Sequence, residues 1–278
     1  MAGESEPQSN GSSQLVAFGV GLRRFGVPID VVLEMAPLGQ VDPIPNAPRW
    51  ILGMMRLRES VVPVLDLRVR LGMPSLVEEG ASIVAVVRES RDEHAAWLRS
   101  LQASCQDRRA VDVPVGARSC KFARFQLEFE SSDVKLMHLL EKLEAPHQRL
   151  HEAVREAVDR TTCGDWDGAR ARLESLRRTE FSALLDRFDD VETHVEEGQR
   201  RMAIVLRTQK RAACIAVDRV ESVVGYETSQ VEATPLEEEM MIDGRGLTAA
   251  VVKPLDDGRL IQVLDVERLF EPYEGSEE

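Results

Sequence analysis

The spacing of hydrophobic residues changes twice along the chain, from short apolar runs to a helical repeat and back again. From Gln14 to about Ser75 the runs are short and rich in Val, Ile and Phe, which is typical of strands. Leu15–Phe18 and Phe25–Ile29 flank a turn-like segment and predict a hairpin, and Val61–Leu65 predicts a further strand. The first part of the chain is therefore predicted to be β-structure.

The same short runs return after about residue 200. Met202–Leu206 and Ala213–Val217 predict one hairpin. Ala249–Val252 and Leu260–Leu264 flank an Asp-Gly pair, which is a strong turn signal, and they predict another hairpin. Each β part alone is short for a domain, but together they make roughly 140 residues, which is a common domain size.

The middle of the chain, from about Arg88 to Arg200, places apolar residues every three or four positions, as on one face of a helix. The clearest stripe consists of Leu136, Leu140, Leu143, His147, Leu150, Val154 and Val158. Pro146 is predicted to start a new helix or to kink this one. The apolar pattern predicts another helix from Asp165 to about Val195. The apolar run Ile83–Val87 suits either a strand or a helix. We expect a bundle of about four helices with antiparallel neighbours.

The charge balance narrows the classes of partner. The 278 residues include 48 acidic and 35 basic side chains, for a net charge of -13, which argues against binding to nucleic acid or to an anionic membrane surface.

No stretch approaches the roughly 20 apolar residues of a membrane span. Residues 1–13 are expected to be disordered rather than a secretory signal, and residues 273–278 form an acidic tail. Four cysteines without a signal favour free thiols in the cytoplasm.

Four side chains in the helical segment could bind a metal ion. These candidate ligands are His94, Cys120, His147 and His151. The last two are four residues apart, so one helical turn places both imidazoles on the same face. Three neutral imidazoles and one thiolate complete a tetrahedral zinc site with no open position. Taken singly, each histidine is also explained as a polar residue of an amphipathic helix, and the cysteine as a small buried residue.

The remaining histidines and cysteines are weaker candidates. His138 lies off the face of the other two helical histidines and is predicted to be a surface or core residue. His194 falls in an acidic run and is predicted to be solvated. Cys105 lies in a polar, loop-like stretch, Cys163 follows a helix end, and Cys214 is predicted to be buried in a strand.

Two stretches of the β parts carry a family likeness. They are IPNAPRWILGMMRLR, which ends at Arg58, and VVPVLDL, which begins at Val61. With Ala216–Val220 and Leu264–Leu269, they resemble the CheW-like chemotaxis coupling domain. The family turn "N-L-R-G" differs here, because Arg56 replaces its Asn and Glu59 replaces its Gly, the two residues that tolerate positive φ.

This resemblance implies a fold and a function. The CheW family is similar to paired five-stranded β-barrels, and its members are non-catalytic adaptors that bridge methyl-accepting chemoreceptors and the histidine kinase CheA. By resemblance, Arg58 lies in the region that binds partners. As a residue alone, Arg58 is equally explained as an exposed charge at the end of a strand.

The helical segment carries a second likeness, to the chemoreceptor zinc-binding (CZB) domain. The matching residues are His94 with Trp97, the stretch Cys120–Phe125, and the pair His147 and His151. Ala123 and Phe125 replace the Gly and Trp of the family's "C-x-x-G-x-W" context. The resemblance implies a four-helix bundle with a zinc site of three His and one Cys, linked to sensing of zinc or oxidants. Because CZB relatives often self-associate, it also admits a homodimer.

Together these patterns predict an α+β multidomain chain, in which a CheW-like pair of small five-stranded β-barrels is interrupted by a four-helix bundle. The predicted boundaries are 14–80 and 201–272 for the CheW-like domain and 81–200 for the insert. We expect a chemosensory adaptor, not an enzyme, whose coupling is modulated by the zinc-binding insert.

Two other functions stay open from the sequence. One is a zinc-dependent hydrolase, although Gln148 follows His147 where a His-Glu-x-x-His metalloprotease has Glu, and the chain has no Gly-x-Ser-x-Gly elbow. The other is an adaptor whose helical insert binds metal only to hold itself together, or binds none.

Overall fold

The computed structural model describes residues 13–109, 120–198, 200–233, 246–254 and 258–271. The chain divides into two compact units, one of Met1–Ser75 with Arg200–Glu278 and one of Leu76–Gln199. The second unit begins at Leu76 rather than at the predicted residue 81, because its first helix starts there. The predicted disordered segment 1–13 and acidic tail 273–278 lie outside the described residues, except for Ser13, which starts the first strand.

The β unit contains two six-stranded sheets among the described residues. Its strands are β1 (Ser13–Val20), β2 (Arg23–Pro28), β3 (Val32–Pro37), β4 (Val41–Asp42), β5 (Ile51–Leu57), β6 (Ser60–Asp66), β7 (Met202–Arg207), β8 (Ala212–Val217), β9 (Arg219–Tyr226), β10 (Val231–Ala233), β11 (Thr248–Val252) and β12 (Ile261–Leu264). One sheet has the order β10-β11-β12-β2-β1-β9 and the other β3-β7-β8-β6-β5-β4. Each sheet has six described strands where the resemblance implies five, and the sheets include the very short strands β4 and β10.

Strand pairing joins the two β parts of the sequence. β1 pairs antiparallel with β2, β7 with β8, and β11 with β12, which confirms the three predicted hairpins. The parallel pairs β12–β2 and β6–β8 each combine one strand from before the helical insert with one from after it. The two β parts therefore share both sheets, as expected for one domain split by an insertion.

A shared apolar core and a buried ion pair stabilise the β unit. Phe18 and Phe25 stack with ring centroids 6.3 Å apart, and their cluster includes buried residues of the other sheet such as Ile215. Short helices α1 (Leu67–Arg70) and α7 (Val266–Leu269) follow β6 and β12. In α1, Arg68 pairs with Asp218, and Nη2 and Oδ2 are 2.8 Å apart.

The second unit is helical. Its helices are α2 (Leu76–Gln106), α3 (Lys121–Glu128), α4 (Val134–Thr162), α5 (Trp166–Arg178) and α6 (Glu180–Glu197). Ile83–Val87 belongs to α2, which decides between the two alternatives for that run. Of the two alternatives predicted at Pro146, the new helix is wrong, since α4 continues through this buried proline although its ring removes one N–H from the ladder, and the kink stays a prediction. The single helix predicted from Asp165 is divided at Thr179, whose φ is -110° and ψ is -84°.

These helices form the predicted bundle. Along α2, Arg88 bonds Glu192 of α6, with Nε and Oε2 3.0 Å apart, and the later residue Arg91 bonds the earlier Asp189. Asp133, just before α4, bonds His194 of α6 at 2.7 Å. Both α2 and α4 therefore run antiparallel to α6, and the short α3 packs against both of them. None of the helices in the described parts of the chain is both long and apolar enough to cross a bilayer.

Candidate metal centre

The four predicted ligands converge in the bundle from three helices. His94 is on α2, Cys120 is the residue before α3, and His147 and His151 are on α4. One ligand atom from each residue lies within 4.8 Å of all the others. The Nε2 atoms of His94 and His151 are each 3.1 Å from Nε2 of His147. The Sγ of Cys120 is 3.6 Å from Nε2 of His94.

These separations fit the coordination shell of one zinc ion. With Zn–N bonds of about 2.0–2.1 Å and a Zn–S bond of about 2.3 Å, a tetrahedron separates two nitrogens by about 3.3 Å and sulfur from nitrogen by about 3.6 Å. The observed values of 3.1 and 3.6 Å are close to both. The donor set therefore fits a tetrahedral ion that prefers nitrogen and sulfur ligands.

A backbone carbonyl fixes which nitrogen of His94 faces the cluster. The Nδ1 atom lies 2.6 Å from the carbonyl oxygen of Ser90, one helical turn earlier. A carbonyl only accepts, so Nδ1 must carry the proton and donate it. When the ring is neutral, the Nε2 atom presents its lone pair to the cluster, which is the tautomer that a metal requires.

The position of Cys120 favours its thiolate. Cys120 is the N-cap of α3, where the helix dipole favours negative charge. Burial alone would raise the pKa of its thiol, but the three neighbouring histidines and the backbone N–H of Ala123 lower the pKa to about 3. The thiolate is the form of cysteine that binds metals.

The pKa values of two histidines move in opposite directions. Burial lowers the pKa of His94, but its hydrogen bonds with Cys120 and with the Ser90 carbonyl outweigh burial and raise it. For His147 burial dominates, together with the charges of the other histidines, and the pKa is lowered. A lowered pKa keeps the central imidazole neutral, which leaves its nitrogen available as a ligand.

Contacts on both sides hold α3, and therefore Cys120, in place. Lys121 Nζ bonds Glu89 at 3.0 Å and Glu93 at 2.6 Å, both on α2. On the other side, Gln126 Nε2 donates to the carbonyl oxygen of Leu140 on α4 at 2.7 Å. The short helix is thus tied to both helices that supply the histidines.

Aromatic rings enclose the imidazoles. The indole of Trp97 lies against His151, with ring centroids 4.9 Å apart and a 34° angle between the planes. Phe122, which is buried, meets His147 edge-on at 5.4 Å. Nδ1 of His151 is buried and has no hydrogen-bond partner among the described residues, so this imidazole is oriented by its contacts with Trp97 and with the other two histidines.

Several contributors to the centre were not evident from the sequence. Ser90 acts through its carbonyl, and only its spacing of four residues from His94 could have indicated it. Lys121 follows Cys120 directly, but its partners are on another helix. Phe122 begins the stripe Phe122, Phe125 and Phe129, a helical pattern that could have been recognised.

Two predictions for the other residues were wrong. His194 is not solvated: its side chain is 11% exposed and bonds Asp133, which caps the start of α4. Cys105 is not in a loop, because α2 extends to Gln106 and buries it. His138 is exposed, and Cys163 is exposed at the end of α4. Cys214 is buried in β8 as predicted, and burial raises the pKa of its thiol to about 12.

Arg58 occupies the turn between β5 and β6. Its φ is 53°, and Leu57 pairs directly with Ser60, so Arg58 and Glu59 form a two-residue turn. The residue with positive φ is therefore Arg58. Arg56 and Glu59, which replace the family's Asn and Gly, do not have positive φ. The Arg58 side chain is 80% exposed, and its Nη2 lies 3.0 Å from Oε2 of Glu34 on β3.

Comparisons with known proteins place the β unit in a family. A family model described as "CheW-like domain" matches residues 14–104 and 184–274, and both matches extend into the helical unit. The chain is 38% identical over 73 residues to "Chemotaxis protein CheW" of Rhizobium meliloti (strain 1021), covering 26% of this chain and 47% of that protein.

One further curated protein and one solved structure are similar to this chain. "Protein FrzA" of Myxococcus xanthus is 40% identical over 60 residues, covering 22% of this chain and 38% of that protein. The scaffolding protein TtCheW from Thermoanaerobacter tengcongensis has a solved structure that is 14% identical, with a TM-score of 0.45 and 94% of each chain covered. The chain thus spans about half or less of the length of the two curated relatives. Because the family model matches more than half of its residues, the chain belongs to the CheW-like domain family.

Proposed function

We propose that this protein is a non-catalytic adaptor that couples methyl-accepting chemoreceptors to the histidine kinase CheA in chemosensory signalling in the cytoplasm. Membership of the CheW-like family supports this proposal, as does the similarity to proteins named for chemotaxis. Arg58 is our candidate for a partner contact, because its exposed side chain is held by Glu34 on a strained turn.

We further propose that the helical insert binds one zinc ion through His94, Cys120, His147 and His151. The observation that carries this proposal is the convergence of three Nε2 atoms and one Sγ within 4.8 Å. When bound, zinc would cross-link the three segments that supply these ligands, and its binding energy would add to the stability of the bundle. Four protein ligands leave no position for a zinc-bound water, which disfavours the alternative of a zinc-dependent hydrolase.

The insert is well placed in the chain to modulate coupling. Its first helix follows Ser75 directly, and its last helix ends shortly before the β unit resumes at Arg200. The zinc ligands lie on α2, on α4 and at the start of α3, so gain or loss of the ion changes the packing of α2, which leads out of the β unit. Such a change in helix packing, whether caused by zinc or by an oxidant at Cys120, is a recognised kind of switch.

Metal content and kinase binding test these proposals together. Purified protein should contain one zinc per chain, and His147→Ala should abolish binding whereas His138→Ala, on the same helix but exposed, should retain it. Affinity for CheA should differ between zinc-loaded and zinc-depleted protein. Equal affinities would leave a metal site that is purely structural, and no affinity for CheA or receptor in either form would overturn the adaptor proposal.

A further inference from the structure

A cavity in the insert is lined by His147, one of the four candidate metal ligands. It lies between α3 and α4, has a volume of about 410 Å³, and has an apolar wall that includes Leu127, Met137 and Leu140. Of its lining residues, Glu141 and Glu144 are exposed and His147 is buried. None of its lining residues is Lys or Arg.

His147 links this cavity to the ligand cluster. Its side chain is only 2% exposed, and its Nε2 lies 3.1 Å from the Nε2 atoms of both other histidines. His147 therefore lines the cavity and is also part of the ligand cluster. An ion in the cavity would therefore lie next to one of the candidate metal ligands.

The two carboxylates lead towards that imidazole along one helix. Glu144 precedes His147 by three residues, and Glu141 precedes Glu144 by three, so their side chains lie on one face a turn apart. Gln148 donates from Nε2 to Oε1 of Glu144 at 3.0 Å, which holds this carboxylate at the cavity. The arrangement places two anionic oxygen donors between solvent and the buried nitrogen.

We propose that this cavity is the path by which zinc enters and leaves the centre, with Glu141 and Glu144 as transient ligands. The inference rests on the proposed zinc site. Carboxylates attract the divalent ion and replace some of its water, and His147 then replaces a carboxylate. The remaining ligands displace the remaining waters, and no ligand is oxidised or reduced. Imidazole and thiolate suit zinc better than single exposed carboxylates do, so the ion passes inward.

The test is the rate of exchange rather than the affinity. Zinc-depleted full-length protein is mixed with zinc in a stopped-flow instrument, and release is followed with a chromophoric chelator. The E141Q/E144Q double variant should take up zinc about threefold to tenfold more slowly than wild type, because the transient ligands that stabilise the partly dehydrated ion on the path are lost. Since both directions use one path, release should slow by the same factor and the Kd should not change.

Two control variants separate this path from general effects. Glu152→Gln removes one exposed charge from α4 outside the cavity, and its rates should stay close to those of wild type. Met137→Trp narrows the cavity without changing charge and should slow uptake and release alike.

Three results would overturn the proposal. E141Q/E144Q and Met137→Trp rates equal to those of Glu152→Gln would exclude this path while leaving the zinc site intact. A weakened Kd with unchanged uptake would make the carboxylates part of the final site. Failure of the wild-type protein to bind zinc at all would reject the proposed centre and the path with it.

Discussion

Sγ of Cys120 lies 3.6 Å from Nε2 of His94, although the two residues are 26 positions apart and belong to different segments of the bundle. The contact is possible because Lys121 ties the start of α3 to Glu89 and Glu93 on α2. A single ion between these atoms would thus connect α2 and α3 directly, and His147 and His151 would extend the connection to α4.

Loss of the thiolate should therefore remove zinc-dependent stability. At zinc concentrations about 100 times the Kd, wild-type protein should gain about 2.7 kcal/mol in free energy of unfolding. Cys120→Ser should gain much less, because a neutral hydroxyl is a poor zinc ligand. Cys163→Ser, which changes an exposed cysteine in the same unit, should respond to zinc as wild type does. Thermal unfolding with added zinc and with a chelator measures the difference, and an equal zinc response in both variants would exclude Cys120 as a ligand.

Trp97 should affect zinc binding through the orientation of His151. Replacing Trp97 by Leu removes the ring against that imidazole and should weaken zinc affinity about tenfold, at the low end for groups that orient a metal ligand. Trp97→Phe keeps an aromatic ring and should lose less. Binding of zinc should also change the fluorescence of wild-type protein, and this change should disappear in Trp97→Phe but persist in Trp166→Phe. Unchanged affinity in Trp97→Leu would show that His151 does not need the ring.

Asp133 should stabilise the insert in a pH-dependent way. Burial opposes its ionised form, but hydrogen bonds from the Leu136 N–H and from His194 lower its pKa below the usual value. A lowered folded-state pKa means that the stabilisation is present above about pH 4, the unfolded-state pKa, and is lost as the pH falls through the folded-state value.

Two substitutions at this position separate capping from charge. Asp133→Ala should cost about 1 kcal/mol at pH 7, as for other lost N-caps, and the cost should shrink in acid. Asp133→Asn keeps a good cap and should lose only the charged contact with His194. Urea unfolding at pH 7 and pH 3 measures both, and a cost for Asp133→Ala that is the same at both pH values would contradict the role of the ionised carboxylate.

We expect Arg58 to destabilise the β unit through its backbone conformation and to contact a partner through its side chain. Its left-handed φ of 53° costs about 1–2 kcal/mol for a residue with a Cβ, whereas an exposed pair such as the one with Glu34 contributes at most about 1 kcal/mol. Arg58→Gly should therefore stabilise the β unit by about 0.5–1 kcal/mol, after the greater freedom of glycine in the unfolded chain is subtracted.

The same substitution should weaken binding to CheA or to a receptor. Arg58→Lys serves as the matched variant, because it keeps the charge and the strained backbone. Denaturant unfolding and a pull-down measure the two effects separately. If Arg58→Gly binds its partner as well as wild type does, the arginine is a surface charge and not a contact.

Local sequence patterns predicted most of the fold. The hairpins formed by Leu15–Phe18 with Phe25–Ile29 and by Met202–Leu206 with Ala213–Val217 depend on short-range alternation and turn residues, so a single sequence suffices to find them. β4 and β10 depend on neighbouring strands instead, since two or three residues carry no period of their own. Of the two alternatives at Pro146, the new helix is wrong because tertiary packing keeps α4 continuous where local propensity disfavours it.

In the candidate centre too, local spacing predicted some features and tertiary packing determined the others. The pair His147 and His151 follows from helical spacing alone, whereas the approach of His94 and Cys120 to that pair is a tertiary result. His194 was misjudged for the related reason that its partner, Asp133, is 61 residues away. Residue types and helical period therefore identify candidates, and only the packing of the helices decides which of them meet.

Zinc K-edge X-ray absorption on the purified full-length protein tests the central claim most directly. We predict one zinc per chain with one sulfur ligand at about 2.3 Å and three nitrogen ligands at about 2.0–2.1 Å, and loss of the sulfur contribution in Cys120→Ser. A zinc spectrum without sulfur, or protein that retains no zinc after purification without chelators, would contradict the account.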